Sequence, residues 1–407
     1  NCRPKLRFSE FSTIWDLIKL SDVTTSFDYE LAYPSKGYDG ENKYIRITDI
    51  DEETNSYCKN DIVSPDGKLT KDYLVDENDI LFARTGASTG KTYLYNREDG
   101  KLYFAGFLIR AHIKETINSK FIFLNTQTFR YKKWVAITSM RSEQPGINSQ
   151  EYANYKFYLP NKMEQDKIAD FIALIDNLIL EQFKYISILE TYNKGLISQI
   201  FKQEIRFKDD NRNAFPDLGK VKLFDLVEHY GGTALESLVI ENGSCKFISI
   251  GNYSPNGKYI DNGQRINPVG KAKDKQLKKD DLVMVLNDKT KNGTIIGSTI
   301  LIDDDNYIYN QRSERLICKK NVLPYFLWSY INSPLIKNKI LQLVQGGTQI
   351  YVNFSSVYNM DMHLPIMEEQ NKIANFLKQL DKILEQEKVY LEQLKIIKKG
   401  LLQQMFV

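Results

Sequence analysis

The chain has 407 residues, 42% of them hydrophobic and 26% charged, with a formal charge of only +3. That length allows two or three domains with cores of their own. So small a charge excludes the strongly basic footprint from which nucleic-acid binding is read directly, and no apolar stretch approaches the ~20 residues that span a bilayer.

The first elements in chain order are short. The apolar run Ile80-Leu81-Phe82 reads as a strand. After it comes Arg84-Thr85-Gly86-Ala87-Ser88-Thr89-Gly90-Lys91-Thr92, which looks like a nucleotide-binding loop. It is one residue short of G-x-x-x-x-G-K-[ST], and a strand-like stretch rather than a helix follows, so the ring of amides that would hold a phosphate is not expected. What survives is a glycine-bearing loop of hydroxyls and a lysine: either a ligand-contacting loop or a solvated hairpin. Asp99-Gly100-Lys101 and Pro65-Asp66 faintly echo a nuclease pattern but read better as turns. Residues 102–109 read as one buried strand, and 324–331 as a helix with Pro324 in its first turn. No Pro-Pro dipeptide occurs, so the amino-methyltransferase tetrapeptide is missing, as is an F-x-G-x-G loop.

The decisive feature is a repeat. Residues 159–201 and 364–406 align without a gap at an offset of 205, with 16 of 43 positions identical. Upstream the match is weaker but keeps its order: 20–23 faces 223–226, 44–47 faces 247–250, 79–81 faces 281–283, and Gln144 and Asn148 face Gln349 and Asn353. The chain is a tandem duplication: a globular segment at 1–158, a helix at 159–206, a second globular segment at 207–363 and a second helix at 364–407. Each globular segment reads as α+β.

In the repeated helices Ile168, Ile175, Leu189 and Leu196, and Ile373, Leu380, Leu394 and Leu401, recur at seven. This is a coiled-coil seam. About 39 helical residues would reach ~58 Å, far beyond one small domain, so each helix needs a partner along its length. Antiparallel pairing sets Ile168 beside Leu401 and Leu196 beside Ile373, relating the halves by a pseudo-two-fold axis. Outside the seam Phe171, Tyr185 and Tyr192, with Phe376, Tyr390 and Ile397, are apolar enough either to bind a partner or to pack on the chain's own domains.

Four scattered cysteines (Cys2, Cys58, Cys245, Cys318) without a C-x-x-C pair argue for free thiols in a reducing cytoplasm. Three isolated histidines give no metal site or catalytic triad. Asn1 in place of a methionine leaves the true start open, and no signal peptide is expected.

Two divergent domains, each followed by a similar long helix, resemble the specificity subunit of type I restriction–modification systems. The resemblance rests on Glu-Gln-x-Lys-Ile-Ala-[DN]-Phe at 164–171 and 369–376, and on [LI]-[LI]-x-Gln-[IM]-Phe near the helix ends. It rests also on the lead-ins Leu6-Arg7-Phe8 and Ile205-Arg206-Phe207, and on the loop Met140-Arg141-Ser142-Glu143-Gln144-Pro145-Gly146-Ile147-Asn148. The second half departs from that loop, with Gln345-Gly346-Gly347-Thr348-Gln349. The resemblance implies a cytoplasmic subunit without catalysis, metal or cofactor of its own. Two target recognition domains would read the halves of a split site in double-stranded DNA, held apart by the antiparallel helices. Partners would be two adenine-methylating subunits and motor-nuclease subunits, which would hold S-adenosylmethionine, ATP and Mg2+; no membrane is implied.

Side chains able to bond base edges are then expected at Arg84, Ser88, Thr89, Lys91, Arg141, Ser142, Gln144 and Asn148 in the first domain. In the second they are expected at Asn287, Lys289, Lys291, Asn292, Gln345, Thr348 and Gln349. The lysine-rich run 271–279 is either a phosphate patch or a solvated face. The rival reading is a scaffold unrelated to DNA that spaces two ligand-binding domains.

Overall fold

The structure, a computed structural model, describes residues 3–29, 33–140, 145–288, 292–347 and 349–407. It falls into two compact units, Asn1–Phe183 with Val389–Val407, and Lys184–Lys388. Each contains a mixed α+β domain and one end of each of two long helices, α1 (Lys162–Phe201) and α2 (Met367–Met405).

The first unit is built on an antiparallel sheet of β1 (Thr24–Tyr29), β2 (Asp79–Ala83), β3 (Thr92–Leu94) and β4 (Leu108–Ile113), in the spatial order β1-β4-β2-β3. Every residue of β2 is buried, which explains why it reads as an unbroken apolar run rather than an alternation. Ile80 and Phe82 face a core that includes Trp15, Phe121, Ile168 and Ile172. Leu81 and Ala83 face a second core with Ile45, Tyr93, Leu102 and Phe104.

The second unit repeats the plan. Its β5 (Val227–Gly231), β6 (Leu282–Val285), β7 (Thr299–Leu301) and β8 (Ser313–Cys318) take the order β5-β8-β6-β7, all antiparallel. Leu282 and Met284 face one core, Val283 and Val285 another. Smaller pairs match as well. Lys43–Ile45 lies parallel to Leu102–Phe104, and Cys245–Ile248 lies parallel to Tyr307–Tyr309. Asp16–Lys19 pairs with Lys156–Leu159, and Gly219–Lys222 pairs with Asp361–Leu364. The duplication read in the helices therefore extends through both domains.

The helix motif now has a mechanical explanation. Glu164 and Glu369 are buried at the start of α1 and α2. Arg7 bonds Glu164 through two nitrogens at 2.7 and 2.8 Å, and Arg206 bonds Glu369 at 3.0 and 3.1 Å. The next residues, Gln165 and Gln370, donate to the carbonyls of Pro160 and Pro365 and accept from the amides of Asn118 and Leu323. Motif and lead-in are two halves of one clasp, made once per unit.

The helices run antiparallel. In the first unit Ile168, Ile172 and Ile175 share a core with Leu402, Met405 and Phe406, and Lys398 pairs with Asp176 at 2.6 Å. In the second, Ile200 and Phe201 share a core with Ile373, Ala374 and Leu377, and Lys388 pairs with Glu190 at 2.6 Å.

One expectation needs correction. Residues 102–109 are two strands, Leu102–Phe104 and β4, separated by a turn in which Phe107 takes φ 73°. The run looks continuous because the residues on both sides of the turn are buried, each in a different pairing. The strands Lys156–Leu159 and Asp361–Leu364, which end at the first residue of each repeated segment, each close on the first strand of their own domain before the helix begins.

Candidate nucleic-acid interface

In the first unit three separate segments meet at the end of β2. The Arg84 amide donates to the Phe107 carbonyl at 2.9 Å, and the Ile147 amide donates to the Arg84 carbonyl at 2.9 Å. The second unit contains the same relay at equivalent positions: the Leu286 amide donates to the Arg312 carbonyl, and the Val352 amide to the Leu286 carbonyl, each at 2.9 Å. The loop after the central strand, the turn before its neighbour and the end-of-domain loop are thus tied together twice in one way. Their side chains differ.

The Gly-Lys-Thr loop is no phosphate cradle. Gly86–Ser88 forms a single 3-10 turn, and β3 follows it. The Gly86 amide donates to the Pro145 carbonyl, and the Thr89 hydroxyl donates to the Gly86 carbonyl at 2.8 Å. Gly90 has φ 87°, and a Cβ there would stand 2.5 Å from Val135 of the helix Phe129–Ser139. The glycine permits close packing of that helix. Gly297 does the same against Ile340 in the second unit, at φ 69° and 2.8 Å.

The expected site residues divide accordingly. Arg84 lies in the cluster, its guanidinium 5.6 Å from the ring centres of both Tyr29 and Phe107, close enough for cation–π attraction. Ser88 is half-buried at the turn. Lys91 pairs with Glu52 at 2.9 Å, and Asn148 caps the helix Ser149–Ala153 in a capping box with Glu151. With Thr89, these two hold the shape of the loops. The spacing Asn148-x-x-Glu151 carried that signal in the sequence.

In the second unit Asn287–Asp288 pairs with Ile350–Val352, which pairs in turn with Val344–Gly346. Asn287, Tyr351 and Gln345 stand opposite one another in register. Directly opposed residues project from one face of a sheet, here the face away from buried Asp288, Ile350 and Val352. Asn292 and Gln349 are exposed nearby in sequence. Arg141, Ser142, Gln144, Lys289, Lys291 and Thr348 lie outside the described residues.

Sequence reasoning missed Tyr29, Phe107, Arg312 and Tyr351. The alternation of 350–352 was the available signal for Tyr351. In the run 271–279, Ala272 and Leu277 are buried, Lys275 donates to the Gly231 carbonyl at 2.6 Å, and the other lysines are exposed.

On the long helices Phe171 and Phe376 are half-buried, each edge-on to the lead-in Phe8 or Phe207 with ring centres 5.6 Å apart. They pack on their own domains. Tyr185, Tyr192, Tyr390 and Ile397 are exposed, together with Leu174, Leu178 and Ile188. Among the described residues no cluster of His, Cys, Asp or Glu could hold a metal ion, and no helix is long and apolar enough to cross a membrane.

The model of the type I restriction modification DNA specificity domain matches the chain twice, over residues 11–190 and 217–395. The chain is a type I specificity subunit. As such it is non-catalytic, the DNA-recognition member of a restriction–modification complex whose chemistry belongs to other subunits. The specificity subunit is 28% identical over 363 residues to the MjaVIII specificity subunit of Methanocaldococcus jannaschii, covering 85% of this chain and 82% of that one. It is 24% identical over 357 residues to the putative MjaX specificity subunit of the same organism, covering 80% and 76%. Among solved structures it is similar to a chain from a study of complex assembly and conformational transition of the type I R-M system. That match has a TM-score of 0.58 at 15% identity, over 95% of this chain and 96% of the other. The S subunit from M. genitalium matches with a TM-score of 0.52 at 14% identity, over 100% and 99%. At these identities the structures speak for the fold.

Proposed function

We propose that each unit of the specificity subunit reads one half of a split, asymmetric target in double-stranded DNA. The length of α1 and α2 sets the unread gap between the halves, and their exposed faces dock two adenine-methylating subunits. Motor-nuclease subunits join the same assembly for cleavage. The observation that carries this reading is the relay common to both units, which fixes three loops on one scaffold while their side chains differ. Variable side chains on a rigid frame are how one architecture reads different sequences. Arg84 and Ser88 on one side, and Asn287, Asn292, Gln345 and Gln349 on the other, are the base-contacting groups. Arginine suits guanine and the amides suit adenine. The helix faces at Leu174 and Leu178, and at Tyr185, Ile188 and Tyr192, are the docking surfaces.

The test is selection from a pool of randomised duplexes by the subunit assembled with its methylating partners. Two short fixed blocks at a constant separation are expected, with affinity falling steeply as salt rises. Recovery of sequences with no shared blocks would reject the reading in favour of a scaffold that does not read DNA.

A further inference from the structure

Phe107 and Arg312 occupy the same place in the two units. Each is the last residue of the turn that leads into the long inner strand of its sheet, β4 or β8, and the carbonyl of each accepts an amide hydrogen bond of the relay described above, from Arg84 or from Leu286. Each also takes a left-handed backbone conformation, φ 73° at Phe107 and 66° at Arg312. That conformation is uncommon for any residue but glycine, and for a bulky side chain it is a true outlier. A glycine would hold either turn without strain. Instead both turns carry a long side chain, and neither side chain serves a core. Phe107 is 51% exposed, although phenylalanine is among the residues most often buried. Arg312 is exposed too.

Backbone strain that persists in a frame this well tied points to function, and here both outliers sit at the meeting point of the three loops. Phe107 is held beside the Arg84 guanidinium. Arg312 precedes β8, whose Ser313 and Glu314 are buried, so its backbone is anchored while its side chain is left outside. The chemistry differs by unit. A phenylalanine ring can meet a thymine methyl or enter an opened base step, whereas an arginine can bond a guanine edge through two nitrogens.

We infer that Phe107 and Arg312 are equivalent specificity-determining residues, one for each half of the target: Phe107 by apolar contact and Arg312 by hydrogen bonds to a base edge. This rests on the reading proposed above, and the experiment separates the two. The full subunit is co-expressed with its adenine-methylating partner, and N6-methyladenine is mapped on the host DNA for wild type, Phe107→Gly, Arg312→Ala and Arg312→Lys. Phe107→Gly suits the left-handed turn, so its melting temperature should not fall below that of wild type.

The expected result is a loss of preference of about tenfold, the scale of one good base contact. In Phe107→Gly it affects one or two adjacent positions of one block, with the other block and the gap unchanged. Arg312→Ala should degrade the opposite block only, and Arg312→Lys should restore part of its preference. An unchanged motif at wild-type methylation levels in Phe107→Gly would overturn the assignment of Phe107. A uniform fall in methylation with an unchanged motif in Arg312→Ala would mean a phosphate contact and would overturn that of Arg312. If wild type yields no split motif, the functional reading itself fails and this inference falls with it.

Discussion

Glu164 is a carboxylate with no exposed surface, and Arg7 grips it through two nitrogens. Removing the arginine leaves a buried charge without its counter-ion, which typically costs several kcal/mol. Arg7→Ala should therefore destabilise the first unit by about 3 kcal/mol in denaturant unfolding, while replacing both partners with leucine should cost less. A change under ~0.5 kcal/mol, the range of an ordinary surface substitution, would contradict the clasp. Arg206→Ala should act in the same direction on the second unit but less strongly, since Arg206 is 25% exposed where Arg7 is 12%.

Lys337 is a different case. Its ammonium donates to the Ser298 hydroxyl, and burial pulls its pKa from the ordinary 10.5 down to about 8. Between those values the unfolded chain binds more protons than the folded one, so this lysine makes stability rise with pH across that window. Below about pH 8 both states are protonated and the burial penalty stands in full. Lys337→Met should raise the melting temperature at pH 7 and flatten the rise between pH 8 and 10; a lower melting temperature at pH 7 would refute this. At this scale the sequence was only partly legible. Asn148 looked like a base reader because amides bond adenine, yet its capping partner Glu151 stood three residues on. Phe107 gave no signal, since an exposed phenylalanine in an apolar run looks like core.

Among the elements, the strongest test concerns the loop after β2. Gly90→Ala adds a Cβ 2.5 Å from Val135 at φ 87°, combining a steric clash with backbone strain. A loss of about 2 kcal/mol is expected. Adding Val135→Ala should relieve the clash but not the strain, so only part of the loss should return. Full recovery, or no loss at all, would show that the glycine is not needed for the approach of the helix. The glycines were visible in the sequence, but their purpose was not, because Val135 lies 45 positions away and only folding brings it near. Periodicity read α1 and α2 correctly, since a seven-residue pattern over forty residues has no competing interpretation. It failed at residues 102–109, where two differently paired strands and the turn between them share one apolar run.

At the scale of the whole molecule, the duplication was legible only where both copies face the same constraint. The clasp preserved its letters, and the helix seam preserved its apolar spacing while some letters changed, as from Ile175 to Leu380. The domains preserved strand order, burial and the hydrogen-bond relay while their sequences drifted apart, because a strand tolerates many apolar substitutions as long as its faces stay buried. The loops carry the least similarity, as expected if the two halves read different bases.

The most direct test of that account is a domain exchange. Residues 1–160 are replaced by the corresponding segment of another type I specificity subunit, with the cut placed after Lys156–Leu159 because that strand closes on Asp16–Lys19. The chimera is co-expressed with the adenine-methylating subunit, and N6-methyladenine is mapped. The account predicts that one block of the split motif changes to the donor's, while the other block and the gap stay as they were. An exchange that altered both blocks, or neither, in an assembled and active complex would contradict it.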